Sequence, residues 1–345
     1  MDIPLVSIVI PCRNESRFIG KCLDSILAND YPKDKLDILV IDGMSEDATK
    51  SALKTYMEKF SFIRVFDNHR KIVPSAMNIG IRHALGRIII RMDAHNIYNS
   101  DYISKSVRYL KEYDVDNVGG IWITLPGADT VIARSIALAL THPFGAGNAY
   151  YRLGVKKPEL VDTVPFGCYK KEVFDRIGLF DEDLIRNQDD EFNARLIANG
   201  GKILLAPDII SFYHARDSLR KIAKMFFQYG YFKPLAAKKI GKIFTLRQLV
   251  PPAFMLSLIT FGALSFVHIF FFYVFLSIFL IHLICNIFFS ASIATKKGIV
   301  YLIVLPFVFL AIHLSYGWGY LKGIMDFILL KKHRANRLKD MSLSR

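Results

Sequence analysis

Val6-Ser7-Ile8-Val9-Ile10-Pro11-Cys12-Arg13-Asn14-Glu15 is a short β-branched apolar run that stops at a proline and turns at once polar. Such a run reads as a buried strand, with the polar residues placed where the strand meets solvent. A helical pattern follows over residues 16–28, then a second apolar strand over 38–41 that ends in Asp42-Gly43. Helices are expected over 46–60, with Ser45 as N-cap, over 75–85 and over 101–113. Between them lie strands over 62–66 and 87–92. Strands separated by helices of this length imply βαβ units and a parallel sheet, in which ligands bind beyond the carboxyl ends of the strands. At those ends the sequence places residues 11–15, Asp42 and Asp93-Ala94-His95.

The following stretch is less regular. Strands are expected over 118–124, 163–169, 203–205 and 209–213, and a helix over 187–198 opening with Gln188-Asp189-Asp190-Glu191. Residues 140–160, rich in Gly, Pro and Tyr, read as a loop, and no internal repeat or low-complexity segment is present.

Composition divides the chain. Of its 345 residues, 52% are hydrophobic and 22% charged, but from Gln248 to Thr295 there is no Lys, Arg, Asp or Glu. A helix needs about 20 apolar residues to cross a bilayer, so this stretch holds two crossings, at about 250–268 and 270–291. A third apolar stretch at about 299–321 contains Pro306 and precedes a basic tail, 322–345. A third crossing would put that tail outside, against the charge rule; a re-entrant or surface-lying segment avoids this, and both readings stay open.

The net charge of +14 is concentrated before the first span, in Arg216, Arg220, Lys221, Lys224, Lys233, Lys238, Lys239, Lys242 and Arg247. Beside a membrane such a cluster attracts anionic lipid headgroups at about 1 kcal/mol per residue and marks the cytoplasmic side. Phe226, Phe227, Tyr229, Tyr231 and Phe232 read as an interfacial belt. The same residues could stack bases, yet no nucleic-acid-binding motif accompanies them, so membrane lipids and not nucleic acid are the expected partner. The first residues lack the basic start and cleavage site of a signal peptide, which keeps 1–235 cytoplasmic. Four scattered cysteines with no CxxC pair fit reduced thiols there. The expected organisation is a catalytic domain over 1–235, a basic juxtamembrane segment over 236–248, a transmembrane region over 249–321 and the tail.

The polar strand ends admit more than one chemistry. Asp93 and His95, two apart on an extended segment, can present oxygen and nitrogen to one side and hold Mn²⁺ or Mg²⁺. Spacing alone equally allows an Asp that caps a turn and a His satisfied by a backbone carbonyl. Asp42-Gly43 is also an ordinary turn signal. The acids of residues 189–191 favour a helix start through its dipole, and crowded together they raise one another's pKa, which suits a general base. Walker A and GxGxxG patterns are absent.

In their order these segments resemble the family 2 glycosyltransferases, which have the GT-A fold, an α/β nucleotide-diphospho-sugar transferase domain with Rossmann-like character. Residues 6–15 look like the opening strand and nucleotide loop, 39–49 like the second nucleotide-binding segment, and 76–80 like the helix before the metal strand. Arg91-Met92-Asp93-Ala94-His95 sits at the family's DxD position. Within the family, Met92-Asp93-Ala94-His95, residues 187–192 and Gln228-Tyr229-Gly230-Tyr231 are most similar to membrane-associated succinoglycan-type transferases of exopolysaccharide assembly.

The resemblance implies that Pro11, Arg13, Glu15 and Asp42 line the nucleotide and that Asp93 approaches the ribose or metal. His95 stands where a second Asp is usual, His214 is a further candidate ligand or a plain interfacial His, and Phe166-Gly167 wall the acceptor site. Asp189 falls at the catalytic base, with Asp190 as the alternative one residue on. Gln228-Tyr229-Gly230-Tyr231-Phe232 lacks the Arg-Trp pair of processive synthases, which implies addition of a single sugar. The implied reaction is inverting, metal-dependent transfer from a nucleotide-diphospho-sugar, UDP-sugars first among donors, to a lipid-linked glycan. A polyprenyl-phosphate sugar synthase, which needs no hydroxyl base, is the alternative enzyme; a membrane scaffold with an inactive transferase domain is the alternative outside catalysis.

Overall fold

The structure is a computed structural model and describes residues 3–241 and 246–331. In chain order the first elements are β1 (Val6–Cys12), α1 (Ile19–Leu27), β2 (Leu36–Asp42), α2 (Thr49–Lys59), β3 (Ile63–Asp67), α3 (Val73–His83), β4 (Ile88–Arg91), β5 (Ile97–Tyr98), α4 (Tyr102–Glu112) and β6 (Asn117–Leu125). Then come α5 (Val131–Leu140), α6 (Pro143–Ala146), α7 (Tyr150–Leu153), β7 (Glu159–Leu160), β8 (Cys168–Lys170), α8 (Glu172–Ile177), α9 (Gln188–Ala198) and β9 (Ile203–His214). Four long helices close the described chain: α10 (Leu219–Ile240), α11 (Val250–Leu264), α12 (Ile269–Lys297) and α13 (Val300–Gly323).

Two compact units result. The first comprises residues up to 123 together with 150–214, and the second comprises 124–149 together with the chain from 215 onward. This partition differs from a sequence boundary at 235. Helix α10 belongs with the C-terminal helices because Gly230, Gly319 and Gly323 let its backbone approach that of α13: a Cβ on Gly319 would stand 2.2 Å from the Phe227 carbonyl oxygen.

The first unit is built on one sheet with the order β3-β2-β1-β4-β8-β6-β9-β5, and β7 pairs with β9. Strands β3, β2, β1 and β4 run parallel, and β8, β6, β9 and β5 are joined to it through antiparallel pairings where the register is defined. The expected parallel sheet is therefore its first half only. Ile8 and Ile10 of β1 pack into one core and Val9 into the other, so both faces of the strand are covered and it is apolar apart from Ser7, whose buried hydroxyl donates to Asp37 at 2.6 Å. Helix α3 lies tightly over β1; a Cβ on Gly80 would come within 2.3 Å of Val9 Cγ1.

Several local expectations change. Ser45 caps no helix, since α2 starts at Thr49 and the Ser45 hydroxyl is used by Asp42. The two short strands over 203–205 and 209–213 are one strand, β9. Its first half pairs with β7 at Leu204 and Leu205 and its second with β5 at Ser211 and Phe212, so Pro207 falls between the two ladders on that edge and owes no N–H to either. The loop over 140–160 contains α6, α7 and β7.

In the second unit three helices are long and apolar enough to cross a membrane: Arg247–Leu264, Ile269–Lys297 and Val300–Leu329, of 18, 29 and 30 residues. The third is not interrupted at Pro306. The side-chain amide of Asn286 donates to the Pro306 carbonyl at 3.0 Å, and α13 runs on into a turn of π-helix over Ile324–Leu329. Tyr231 and Phe232 are buried against Phe327, so these two of the expected belt aromatics face protein. Lys242 and the tail beyond 331 lie outside the described residues.

Candidate active site

The strand ends of the parallel half are laced together before any ligand is considered. The Asn14 amide N–H donates to Ser45 Oγ at 2.8 Å, and Glu46 N–H returns a bond to Asn14 Oδ1 at 2.9 Å. Glu15 N–H donates to Thr49 Oγ1 at 2.8 Å and Ser16 N–H to Asp47 at 3.2 Å. Burial pushes the Asp47 carboxyl up, but the bonds from Thr49 and Ser16 outweigh it and hold the group at about 2. Asn14 and Met44 take the left-handed backbone conformation, with φ of 53° and 57°, which turns both loops back across the ends of β1 and β2.

Asp42 is fully buried. Its carboxylate accepts from the N–H and hydroxyl of Ser45, and Lys50 Nζ stands 3.6 Å from both Asp42 and Asp67. A hollow of about 150 Å³ lies here between Asp42, Lys50, Leu53, Met57 and Asp67. Arg13 is exposed, and Pro11 is partly buried in the last turn of β1. Glu15, 6% exposed, stands 3.3 Å from His95 Nδ1, which ties the first loop to the segment after β4.

Beyond β4 the polar groups are organised by Arg91. It follows three buried isoleucines, is itself only 7% exposed, and needs charged partners to be there. Its Nε donates to Asp93 Oδ1 at 3.1 Å, and its terminal nitrogen pairs with Asp189 Oδ1 at the start of α9. Sequence reasoning gave Arg91 no role. The available signal was a lone arginine closing an otherwise all-isoleucine strand.

Helix α9 sorts the crowded acids. Glu191 is buried and held by Arg195 in two bonds of 2.8 and 3.0 Å, so it is structural. Asp189 keeps 34% of its side chain exposed. The surrounding protein raises its pKa above the ordinary carboxylate value; Arg91 opposes the rise, while Asp93 and Asp190 add to it. Asn187, immediately before α9, has φ of 60°. The loop leading there is pinned by Asn78 of α3, whose amide donates to the Phe180 carbonyl and to Glu182, both at 2.9 Å, and accepts from Phe180 N–H at 2.9 Å.

Phe166 is a bulky residue at φ 48°, a conformation that costs about 1–3 kcal/mol and persists only where its surroundings impose it. Its ring is buried between Tyr98 and Trp122. The next residue must be glycine: a Cβ on Gly167 would lie 2.4 Å from the Tyr169 ring and 2.5 Å from Asn117 Oδ1. Its carbonyl accepts from Arg91 N–H at 3.0 Å, which places the 166–167 turn beside the arginine.

Among the described residues no three His, Cys, Asp or Glu form a ready-made metal cage. A divalent ion carried by a diphosphate needs only one or two protein ligands, and the donor set meets that need. Asp93 could offer a carboxylate oxygen, and His214 Nδ1 is buried with no hydrogen-bond partner among the described residues. Burial lowers the His214 pKa, and the nearby His95 lowers it further, so its ring stays neutral as a metal ligand must.

The family described as Glycosyl transferase family 2 matches residues 7–178. A Methanococcus voltae protein, dolichyl N-acetyl-alpha-D-glucosaminyl phosphate 3-beta-D-2,3-diacetamido-2,3-dideoxy-beta-D-glucuronosyltransferase, is 30% identical over 93% of this chain and 97% of its own length. The chain belongs to glycosyltransferase family 2. This family 2 transferase is also similar to the succinoglycan biosynthesis protein ExoA of Rhizobium meliloti (strain 1021), at 27% identity over 74% of this chain and 77% of that protein. Its fold is GT-A-like. The mannosyltransferase PcManGT of Pyrobaculum calidifontis, solved with GDP-Man and Mn²⁺, superposes over 92% of this chain and 87% of its own with a TM-score of 0.59 at 19% identity.

Proposed function

We propose that this glycosyltransferase moves a single sugar, with inversion, from a nucleotide-diphospho-sugar to a hydroxyl of a lipid-linked saccharide at the cytoplasmic face of the membrane. The observation that supports the reading is that Asp93 and Asp189 both bond the buried Arg91 guanidinium, which brings together the two carboxylates read here as donor-side and acceptor-side. The M. voltae relative supports the acceptor class, because its name specifies a dolichyl-linked sugar phosphate and a β-linked product. The apolar helices and basic collar suit an acceptor presented from a bilayer.

In this reading the loops of β1 and β2, with Pro11, Arg13, Glu15 and Asp42, frame the nucleotide, and Phe166-Gly167 frame the acceptor. Asp93, His95 and His214 would hold Mn²⁺ or Mg²⁺ together with the donor diphosphate, and the ion would supply charge neutralisation for the leaving group. Asp189 takes the proton from the acceptor hydroxyl as that oxygen bonds to the anomeric carbon. The bond from that carbon to the diphosphate oxygen breaks on the opposite face, and its electron pair leaves with the diphosphate. A raised pKa makes Asp189 a stronger base than an ordinary carboxylate. Asp190 is the neighbouring alternative.

The test is a panel of UDP-, GDP- and dTDP-sugars offered with a polyprenyl-linked N-acetylglucosamine acceptor, with NMR of the product. The expected result is metal-dependent transfer of one sugar whose anomeric configuration is opposite to that of the donor. Retention of configuration, or transfer onto a bare polyprenyl phosphate alone, contradicts the proposal.

A further inference from the structure

Asp93 and Asp189 would carry out the reaction proposed above, yet neither is held in place by its own backbone element alone. Asp93 lies two residues past β4 and Asp189 lies in the first turn of α9, and 96 positions separate them in sequence. Arg91 connects them. Its guanidinium is planar and offers N–H groups in a fixed fork, so two carboxylates bound to different nitrogens of one fork are held at a set distance and angle. The fork itself has little freedom. Its backbone N–H is bonded to the Gly167 carbonyl, it follows three buried isoleucines, and the side chain is 7% exposed.

We infer that Arg91 is a positioning residue that fixes the separation between the donor-side carboxylate Asp93 and the base Asp189. The inference rests on the proposed function for the roles of the two acids. It adds what neither role requires: the two halves of the site are mechanically coupled, and the coupling passes through one side chain. The Gly167 carbonyl, accepting from the Arg91 backbone, brings the 166–167 turn into the same linkage. A lysine at this position keeps the charge but concentrates it on one ammonium, which cannot reproduce the fork.

The experiment uses the full-length membrane protein in five forms: wild type, Arg91→Lys, Arg91→Gln, Asp189→Asn, and Arg91→Gln combined with Asp189→Asn. Transfer is followed with the nucleotide sugar that the donor panel identifies, and binding with Mn²⁺–UDP and Mn²⁺–GDP by calorimetry. A displacement of about 1 Å at a reacting group can cost about a hundredfold in rate. The expected result is a loss of that order in kcat for Arg91→Gln and a smaller loss for Arg91→Lys, each measured per folded molecule and with acceptor KM changed less than kcat. The double variant should be no slower than Asp189→Asn alone, because residues acting as a unit are not additive.

Wild-type kcat in both single variants, with only thermal stability lowered, would show a purely structural arginine and overturn the inference. Multiplicative losses in the double variant would also overturn it, since they would mean that Arg91 does not act through Asp189. If Arg91→Gln fails to fold, Arg91→Lys supplies the kcat reading. Failure of the underlying function looks different: Asp189→Asn then turns over normally, and the inference is read on its Asp93 arm alone, where unchanged Mn²⁺–nucleotide affinity in Arg91→Gln overturns it.

Discussion

The parallel and antiparallel halves of the sheet solve different problems. On the parallel side, the loops after β1 and β2 bond to each other through Asn14, Ser45, Asp47 and Thr49, and the Asp42 carboxylate is already engaged. On the other side, Phe166 and Asn187 sit at positive φ, and Gln188 Oε1, Trp122 Nε1 and His214 Nδ1 are buried without hydrogen-bond partners. The loops after β1 and β2 are bonded to each other before a ligand arrives. Positive φ occurs in both halves, at Asn14 and Met44 as at Phe166 and Asn187, but the second half adds unmet bonding capacity around the proposed acceptor side, the condition expected where a site completes itself on binding. Arg91 closes the last parallel strand and reaches into the second half, which is why it matters to both.

The comparison can be broken at several points. The largest effect on donor binding is expected from Asp93→Ala, which removes the carboxylate read as donor-side and leaves Arg91 with one of its two carboxylate partners. Mn²⁺-dependent nucleotide binding should weaken by at least about tenfold, as losses around metal sites commonly do; calorimetry that shows unchanged affinity would move the metal elsewhere. Next in size, Gly167→Ala drives a methyl into the Tyr169 ring and Asn117, and overpacking of this kind costs about 1–3 kcal/mol. A lowered thermal midpoint checks it, and wild-type stability would mean that the turn relaxes freely. The smallest effect belongs to the satisfied half. Because Asp47 is held at about 2, below its ordinary 3.8, its contribution to stability is complete above that ordinary value and is lost as pH falls toward about 2. Asp47→Asn should therefore lower stability slightly at neutral pH, with the difference from wild type shrinking as pH falls toward about 2; thermal midpoints across that range check it, and a pH-independent difference would contradict it.

What could be seen in the sequence follows the same division. The parallel half was legible because each strand is a local apolar run with a helix after it, and the polar residues at its end stand out. The antiparallel half depends on pairing between distant segments. Residues 203–214 read as two strands because Pro207 interrupts the pattern, although the sheet carries the strand across it. Helix α5 escaped notice since it belongs with the C-terminal helices and its apolar face made sense only beside them. In the membrane region the two expected spans both form helices long enough to cross, and the third stretch, open on sequence grounds because of Pro306 and the charge rule, forms one as well, of 30 residues. The Asn286 amide of α12 donates to the Pro306 carbonyl, a contact between helices that cannot be read from the stretch itself.

Asp42 and Phe166 mark the limit of motif reasoning. Both lie in segments that resemble binding loops, and both point their side chains into the protein, where Asp42 organises Ser45 and Phe166 supports the turn at Gly167. Arg91 marks the opposite case: it belongs to no quoted motif role, and only the folded chain shows the two carboxylates it joins.

The central claim is that Asp189 is the base. Its raised pKa sets the direction of the pH dependence: transfer should fall as pH drops through a value above 3.8, since only the ionised carboxylate accepts the proton. The decisive measurement is sugar transfer by Asp189→Asn, made on the same preparation whose Mn²⁺–nucleotide affinity is measured. The account predicts a loss of about a thousandfold in kcat, within the range that a general base contributes, with nucleotide affinity close to wild type. Near-normal turnover by that variant would contradict it.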